Sequence, residues 1–166
     1  PAAAETLFPL YANRADAEQR HYTRTVAWLL RFDQSVRGLK VGAPVEFRGI
    51  EVGRVTDVRL QLDPDSARFR IPVTIVIEPE RFMDVKEGER LQRDVVDRLV
   101  ASGLRAQLRT GNLLTGQLIV SLDIFENAKP AQVVWEARIP EMPTVPTPIE
   151  VMTGNLARLV ERLGKL

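Results

Sequence analysis

The sequence predicts a mainly β fold, an antiparallel sheet or barrel bearing one short helix, with a separate helix at the C-terminal end. Three observations predict it. Apolar and polar residues alternate in a succession of short segments, one segment among them switches to helical spacing, and a proline-rich stretch runs straight into a heptad pattern. The 166 residues, 45% hydrophobic and 27% charged, suit one globular domain, or one domain with an appendage.

Residues 1–22 mix alanine, charge and two prolines without a sustained period, and read as a linker or the tail of a preceding module. Pro1, with no initiator Met and no signal-like apolar core after it, reads as the start of an excerpt from a longer protein. From Thr25 the period becomes two: Val26, Trp28, Leu30 and Phe32 point one way and Thr25, Ala27, Leu29 and Arg31 the other. Val45 and Phe47 alternate before Gly49, and Val58, Leu60 and Leu62 continue the pattern after Gly53. Phe69, Ile71, Val73, Ile75 and Ile77 form the clearest run; Pro72 within it has no donor, so its nitrogen should face an edge or a bulge. Leu104, Ala106 and Leu108 lead to Gly111, and Leu118, Val120, Leu122 and Ile124 follow Gly116.

The exception is LQRDVVDRLVASG, where Leu91, Val95, Val96, Leu99 and Val100 fall at helical spacing and Gly103 stands where a C-terminal cap belongs. An amphipathic helix plugging an open end of the barrel is expected. Residues 139–148 then carry four prolines and are expected to form an extended strut leading away from the sheet. Thr147, Pro148 and Glu150 make a helix start, and Ile149, Met152, Leu156, Leu159, Leu163 and Leu166 are spaced as the a and d positions of a heptad seam. With Gly154 and Gly164 in it such a helix is marginal alone, so its apolar seam implies partner helices in a coiled coil, the alternative being a helix that folds back on the barrel.

Composition excludes several kinds of chemistry. Cysteine is absent, which removes disulfides, thiolate metal sites and a cysteine nucleophile. His21, the only histidine, stands in the linker with no serine arranged around it. Charge is balanced, 23 basic against 22 acidic residues, and scattered, which argues against a nucleic-acid surface; Arg68 and Arg70 beside Phe69 are the best such a reading has. Asp63-Pro-Asp-Ser66 is expected to be a tight turn rather than a calcium loop, since the further oxygen ligands are missing. Asp33, Glu46, Glu51, Asp57 and Asp123 fall in turns or the outward phase of strands, with no pair set apart for acid–base work. No apolar run approaches the roughly 18 to 20 residues that span a bilayer.

The informative segment is Thr110-Gly-Asn-Leu-Leu-Thr-Gly116, a glycine-bracketed loop with Leu113 and Leu114 at its tip, where a hairpin turn is ordinarily polar. Exposing a leucine forgoes roughly 1.5 to 3 kcal/mol, so two at one tip need a reason. Either the loop folds back into the core, or the leucines meet other copies or an apolar ligand.

Ser35-Val-Arg-Gly-Leu39, Gly42-Ala-Pro-Val-Glu-Phe-Arg-Gly-Ile50, Val52-Gly-Arg-Val55 and Gly111-Asn-Leu-Leu-Thr-Gly116 resemble the signature of the MCE (mammalian cell entry) domain, a family of bacterial lipid-transport modules. Ile71-Pro-Val, Ile77-Glu-Pro-Glu-Arg81 and the proline stretch before a heptad helix narrow the likeness to members whose last MCE domain leads into a helical needle. The opening Glu5-Thr-Leu-Phe-Pro-Leu-Tyr11 is similar to the end of a preceding repeat.

The resemblance implies a small seven-stranded MCE β-barrel at 23–138, a strut at 139–148 and the start of a coiled-coil-forming needle helix at 149–166. It implies homohexameric rings around a hydrophobic tunnel that carries phospholipids across the periplasm between the inner and outer membranes of a Gram-negative bacterium. Leu113 and Leu114, flanked by Gly111, Asn112, Thr115 and Gly116, match the family's pore loop, and the seam residues Ile149, Met152, Leu156, Leu159, Leu163 and Leu166 would line the needle's bore. Expected partners are other copies of the chain, phospholipids, an inner-membrane integral protein and an outer-membrane lipoprotein. The full-length protein would be anchored in the inner membrane by a segment outside these residues. No catalytic residue, metal, cofactor or nucleic acid is expected. The alternative reading is a structural spacer that links two membranes and carries no lipid.

Overall fold

The computed structural model describes residues 24–82 and 92–165. The expected linker with His21, and Leu91 and Leu166 of the expected helices, lie outside the described residues. Seven strands form the domain: β1 (Val26–Phe32), β2 (Pro44–Phe47), β3 (Ile50–Val58), β4 (Gln61–Asp63), β5 (Arg68–Ile77), β6 (Leu104–Asn112) and β7 (Gln117–Ile124). Helix α1 (Arg93–Ala101) precedes β6, and α2 (Pro148–Gly164) ends the described chain.

The strands curl into one sheet in the order β1-β5-β3-β2-β7-β6, with β4 added to β5. All pairs are antiparallel except β2 with β7. The period-two residues do what their phase demands, because successive side chains of a strand point to opposite faces. Trp28, Leu30 and Phe32 of β1, Val73 and Ile75 of β5, Ala106 and Leu108 of β6, and Val120 and Leu122 of β7 all fill the interior. From α1 the residues Val96 and Val100 enter the same core, while Leu99 stays 41% exposed on the helix's outer side.

Three runs depart from the expected continuity. The Val58-Leu60-Leu62 alternation breaks after Val58, where β3 ends; Leu60 and Leu62 belong to a hairpin standing clear of the core and are 69% and 52% exposed. Phe69, in phase with the buried half of β5, pairs with Leu62 on that hairpin and is 64% exposed. Pro72 sits where β3 gives way to β4, its carbonyl accepting from the Arg59 amide, so its missing donor falls at a break in the ladder. The hairpin turn is tied by the Asp63 carboxylate, which accepts from the amides of Asp65 and Ser66 and from the Ser66 hydroxyl.

The largest departure concerns the proline-rich segment. It does not lead directly away from the sheet; residues 139–146 lie between β1 and β6, the two strands that end the sheet. On the β1 side the Leu29 amide donates to the Pro140 carbonyl (2.9 Å) and the Met142 amide to the Leu29 carbonyl (3.0 Å). On the β6 side the Ala106 amide donates to Pro143 (3.1 Å) and the Val145 amide to Ala106 (2.9 Å). Glu141 exchanges both backbone bonds with Val134, Met142 is buried, and Arg31 pairs with Glu141 at 2.8 Å. The prolines offer carbonyls only, and Glu141, Met142 and Val145 supply the donors. A strand edge leaves half its polar groups unpaired; this strap pairs with both edges at once, at Leu29 on one and Ala106 on the other.

The chain returns from β7 to the strap over α1. Trp135 packs edge-on against Trp28 with ring centroids 5.4 Å apart, donates from its indole nitrogen to Asp97 of α1 and lies under the Arg93 guanidinium. Arg105, 3% exposed, donates to the carbonyls of Val100, Leu104 and Lys129 at 2.7–2.8 Å, joining the end of α1 to this return segment. Burial pulls its pKa below the ordinary arginine value.

Two outcomes test this description. Arg105→Leu removes the guanidinium from the carbonyls of Leu104, Lys129 and Val100, the last of which keeps the Gly103 amide, and is expected to cost about 2–3 kcal/mol, read by denaturant unfolding. A chain ending after Thr147 should keep its cooperative unfolding transition, whereas one ending after Arg138 should lose it. The second loses six backbone hydrogen bonds at about 1 kcal/mol each, a large part of the stability of an ordinary domain.

Candidate functional site

The registers place three projections at one end of the barrel. Strand β1 runs toward the start of β5, pairing Phe32 with Ile71, and β3 ends at the same level, with Val58 opposite Val73. Strand β2 starts at that end and β7 runs parallel to it, so the β6–β7 turn lies there too. The strap is parallel to β1 at Leu29 and Glu141 and to β6 at Ala106 and Thr144, so it also leaves at this end, two residues before α2 begins. The Leu113–Leu114 turn, the β4–β5 hairpin and the root of α2 therefore share one end of the barrel.

The turn is built to hold its leucines out. The Asn112 side-chain oxygen accepts from the amides of Leu114 (2.9 Å) and Thr115 (3.2 Å), and the Gly116 amide donates to the Asn112 carbonyl (2.9 Å). One residue thus satisfies three consecutive amides of the turn. Gly116 closes it at φ +69°, a left-handed conformation that glycine adopts without strain. Leu113 is 89% and Leu114 97% exposed, so neither returns to the core of its own chain.

At its base the hairpin leans on the β1–β2 connection. The Leu118 amide donates to the Gly38 carbonyl at 3.0 Å, and Gly38 lies so close that a Cβ there would run into the Gly116 carbonyl oxygen. Its φ of +93° excludes a side chain as well. The motif residues Ser35–Leu39 thus meet the Gly111–Gly116 motif in space, a contact that spacing in the sequence did not reveal. Lower on β7, Arg48 from the turn after β2 donates to Asp123 at 3.1 Å and holds that carboxyl below the usual carboxylate range.

Helix α2 starts at Pro148 as its signals predict, and no described apolar side chain of it is buried: Met152, Leu156, Leu159 and Leu163 are 54–72% exposed. Ile149 lies in the first turn. Val160, outside the a and d positions, is 61% exposed and falls beside Leu156 on the helix surface, so the apolar face is wider than the two-position seam. Residues that periodicity alone does not single out complete the root of the helix. Gln107 of β6, 8% exposed, donates from its side-chain nitrogen to the Pro146 carbonyl at 2.7 Å, and the Thr144 hydroxyl donates to the Arg31 carbonyl at 2.8 Å. Among the described residues, no three His, Cys, Asp or Glu side chains are grouped so as to hold a metal ion, and no helix is long and apolar enough to cross a membrane.

A family model described as MlaD protein matches residues 24–124, more than half of the chain. Among solved structures, a chain of the Acinetobacter MlaFEDB complex in its ATP-bound Vtrans1 conformation is 16% identical, with 80% of this chain and 81% of that one covered at a TM-score of 0.43.

The geometry of the tip is open to direct measurement. Asn112→Ala removes the shared acceptor, and the amides of Leu114 and Thr115 should exchange with solvent about tenfold faster while the barrel amides keep their protection. Gly38→Ala should lower global stability by about 1–3 kcal/mol through its positive φ and the crowded Gly116 carbonyl.

Proposed function

The chain belongs to the MlaD protein family, the MCE domain family that its motifs resemble, and we propose that it is a non-enzymatic part of a conduit carrying phospholipids between the inner and outer membranes of a Gram-negative envelope. The single observation that carries this reading is the tip of the β6–β7 hairpin. Two leucines almost wholly exposed on a turn whose amides are internally satisfied form an apolar surface on a firm mount. Gathered around an axis by a ring of six copies, such tips would replace water along an acyl chain. Moving each methylene into water costs roughly 0.8 kcal/mol, so an unaided chain of a dozen carbons does not cross an aqueous gap at useful rates. Leucines make no directional bonds, so each contact releases as readily as it forms.

The root of α2 at the same end of the barrel supports the continuation of that path. Exposed residues at a and d, with Val160 at the following e position, give each helix apolar surface for more than one neighbour, which suits a bundle of several helices around a bore better than a two-helix coil. This is the arrangement of the needle in paraquat-inducible protein B, whose last MCE domain the chain resembles. Inner- and outer-membrane partners would stand at the two ends. A passive tunnel only equilibrates lipid, so direction would come from those partners. The second reading, a spacer that fixes the distance between membranes, makes no use of leucines at the tip.

A double variant separates the two. Leu113→Asn with Leu114→Asn should reduce phospholipid transfer between donor and acceptor vesicles by more than tenfold while native mass spectrometry still finds the hexamer. Transfer at the wild-type rate in an intact hexamer would leave the spacer standing.

A further inference from the structure

Strand β6 carries two things in sequence. Its far end bears the leucine turn, and its middle holds Gln107, whose buried amide donates to the carbonyl of Pro146, the second residue before α2. From Gln107 to Leu113 is six residues, roughly 20 Å of strand. The strap has already been fixed to β6 by two backbone bonds at Ala106 and to β1 by two more at Leu29, and Thr144 adds a side-chain bond to the Arg31 carbonyl. Beyond Val145 the backbone pairing stops. Pro146 has no amide to donate, and its carbonyl is left to accept from a side chain. The Gln107 side chain donates to it at 2.7 Å.

We infer that Gln107 is a positioning residue: it extends the strap's pairing by one residue and thereby fixes the direction in which α2 leaves the barrel relative to the leucine turn on the same strand. Three features carry this. The donor side chain is 8% exposed and makes a short bond of 2.7 Å, so its own position is held by the packing around it even though Pro146 is exposed. The residue it holds is a proline, whose ring fixes φ and leaves few torsions between the clamp and Pro148, itself another fixed φ. And Gln107 lies on the strand that runs into the turn, paired with β7 from Leu104 to Asn112 with one register shift between Thr110 and Asn112, so what orients the helix root is joined to the tip through a single hairpin. The inference rests on the proposed conduit for its purpose, since a helix bundle continues a path only if each helix leaves at one angle. Its test is independent of whether lipid moves.

The chain has no cysteine, so spin labels go only where cysteine is introduced. Labels at Gln117→Cys, near the turn, and Arg158→Cys, on the polar side of α2, are read by pulsed dipolar spectroscopy, with labelled chains diluted into unlabelled ones so that only distances within one chain count. With Gln107 present a single narrow distance distribution is expected. Gln107→Leu, of similar size but without a donor, should broaden it at least twofold, and Gln107→Lys, whose ammonium reaches the same carbonyl, should restore it. A distribution as narrow in Gln107→Leu as in the parent overturns the inference. Should Gln107→Leu not fold, two glycines inserted between Pro146 and Thr147 leave the clamp intact and free the helix from it. Broadening there agrees with the inference, and an unchanged narrow distribution overturns it, because something other than the strap would then hold α2. Failure of lipid transfer in an assembly whose distances stay narrow would count against the conduit and leave the clamp in place.

Discussion

The structure depends on how a curled sheet disposes of its two ends. Strands β1 and β6 each present backbone groups that no other strand takes up, and the core between them includes Trp28, Leu30, Ala106 and Leu108, which would be wetted if the gap stayed open. Both needs are met by eight residues of proline-rich chain. Because the prolines contribute only acceptors, the donors at Glu141, Met142 and Val145 must each point to a different neighbour, and the segment touches β1, β6 and Val134 in turn without becoming a regular strand. The family match ends at residue 124, so the piece that completes the barrel lies outside the stretch that defines the family.

That closure also governs the exposed features. A turn holding Leu113 and Leu114 in solvent is tolerable only if it cannot collapse inward, and the interior is already full of buried side chains. Asn112 removes the other escape, since with three tip amides satisfied locally the loop gains nothing by rearranging to find partners. Gly38 underneath leaves no room for the hairpin base to shift. The apolar surface is costly where it stands, and the surrounding polar bonds are what keep it there.

Much of this was legible from residue order. Alternation identified β1, β5, β6 and β7 because the apolar residues of each fall on the face that fills the core, and helical spacing identified α1 through Val96 and Val100. Pro148 marked the root of α2, since a ring nitrogen at the first helical position forgoes a donor the helix does not use. What escaped were contacts that periodicity cannot encode. Leu60, Leu62 and Phe69 carry the phase of the core but sit past the break at Pro72, where the barrel wall has already ended. The strap read as a departing strut because a proline's carbonyl is as good an acceptor as any other, and nothing in composition shows that it will be used. Gln107 and Arg105, outward-phase polar residues on a strand, look ordinary until a returning segment 24 to 39 residues later covers them. The meeting of the Ser35–Leu39 and Gly111–Gly116 motifs is likewise a fact of folding back, made legible only by resemblance.

One feature of the topology bears on construction at a larger scale. The described chain enters β1 at the end where α1 packs and departs, through the strap, at the other. A fold with its two chain ends at opposite poles has a built-in polarity. Units of this kind joined in one polypeptide would add end to end, each contributing its own length to a column, with no connector having to double back along the outside. The reach of such a column would then be set by counting units, and its heading by the last of them.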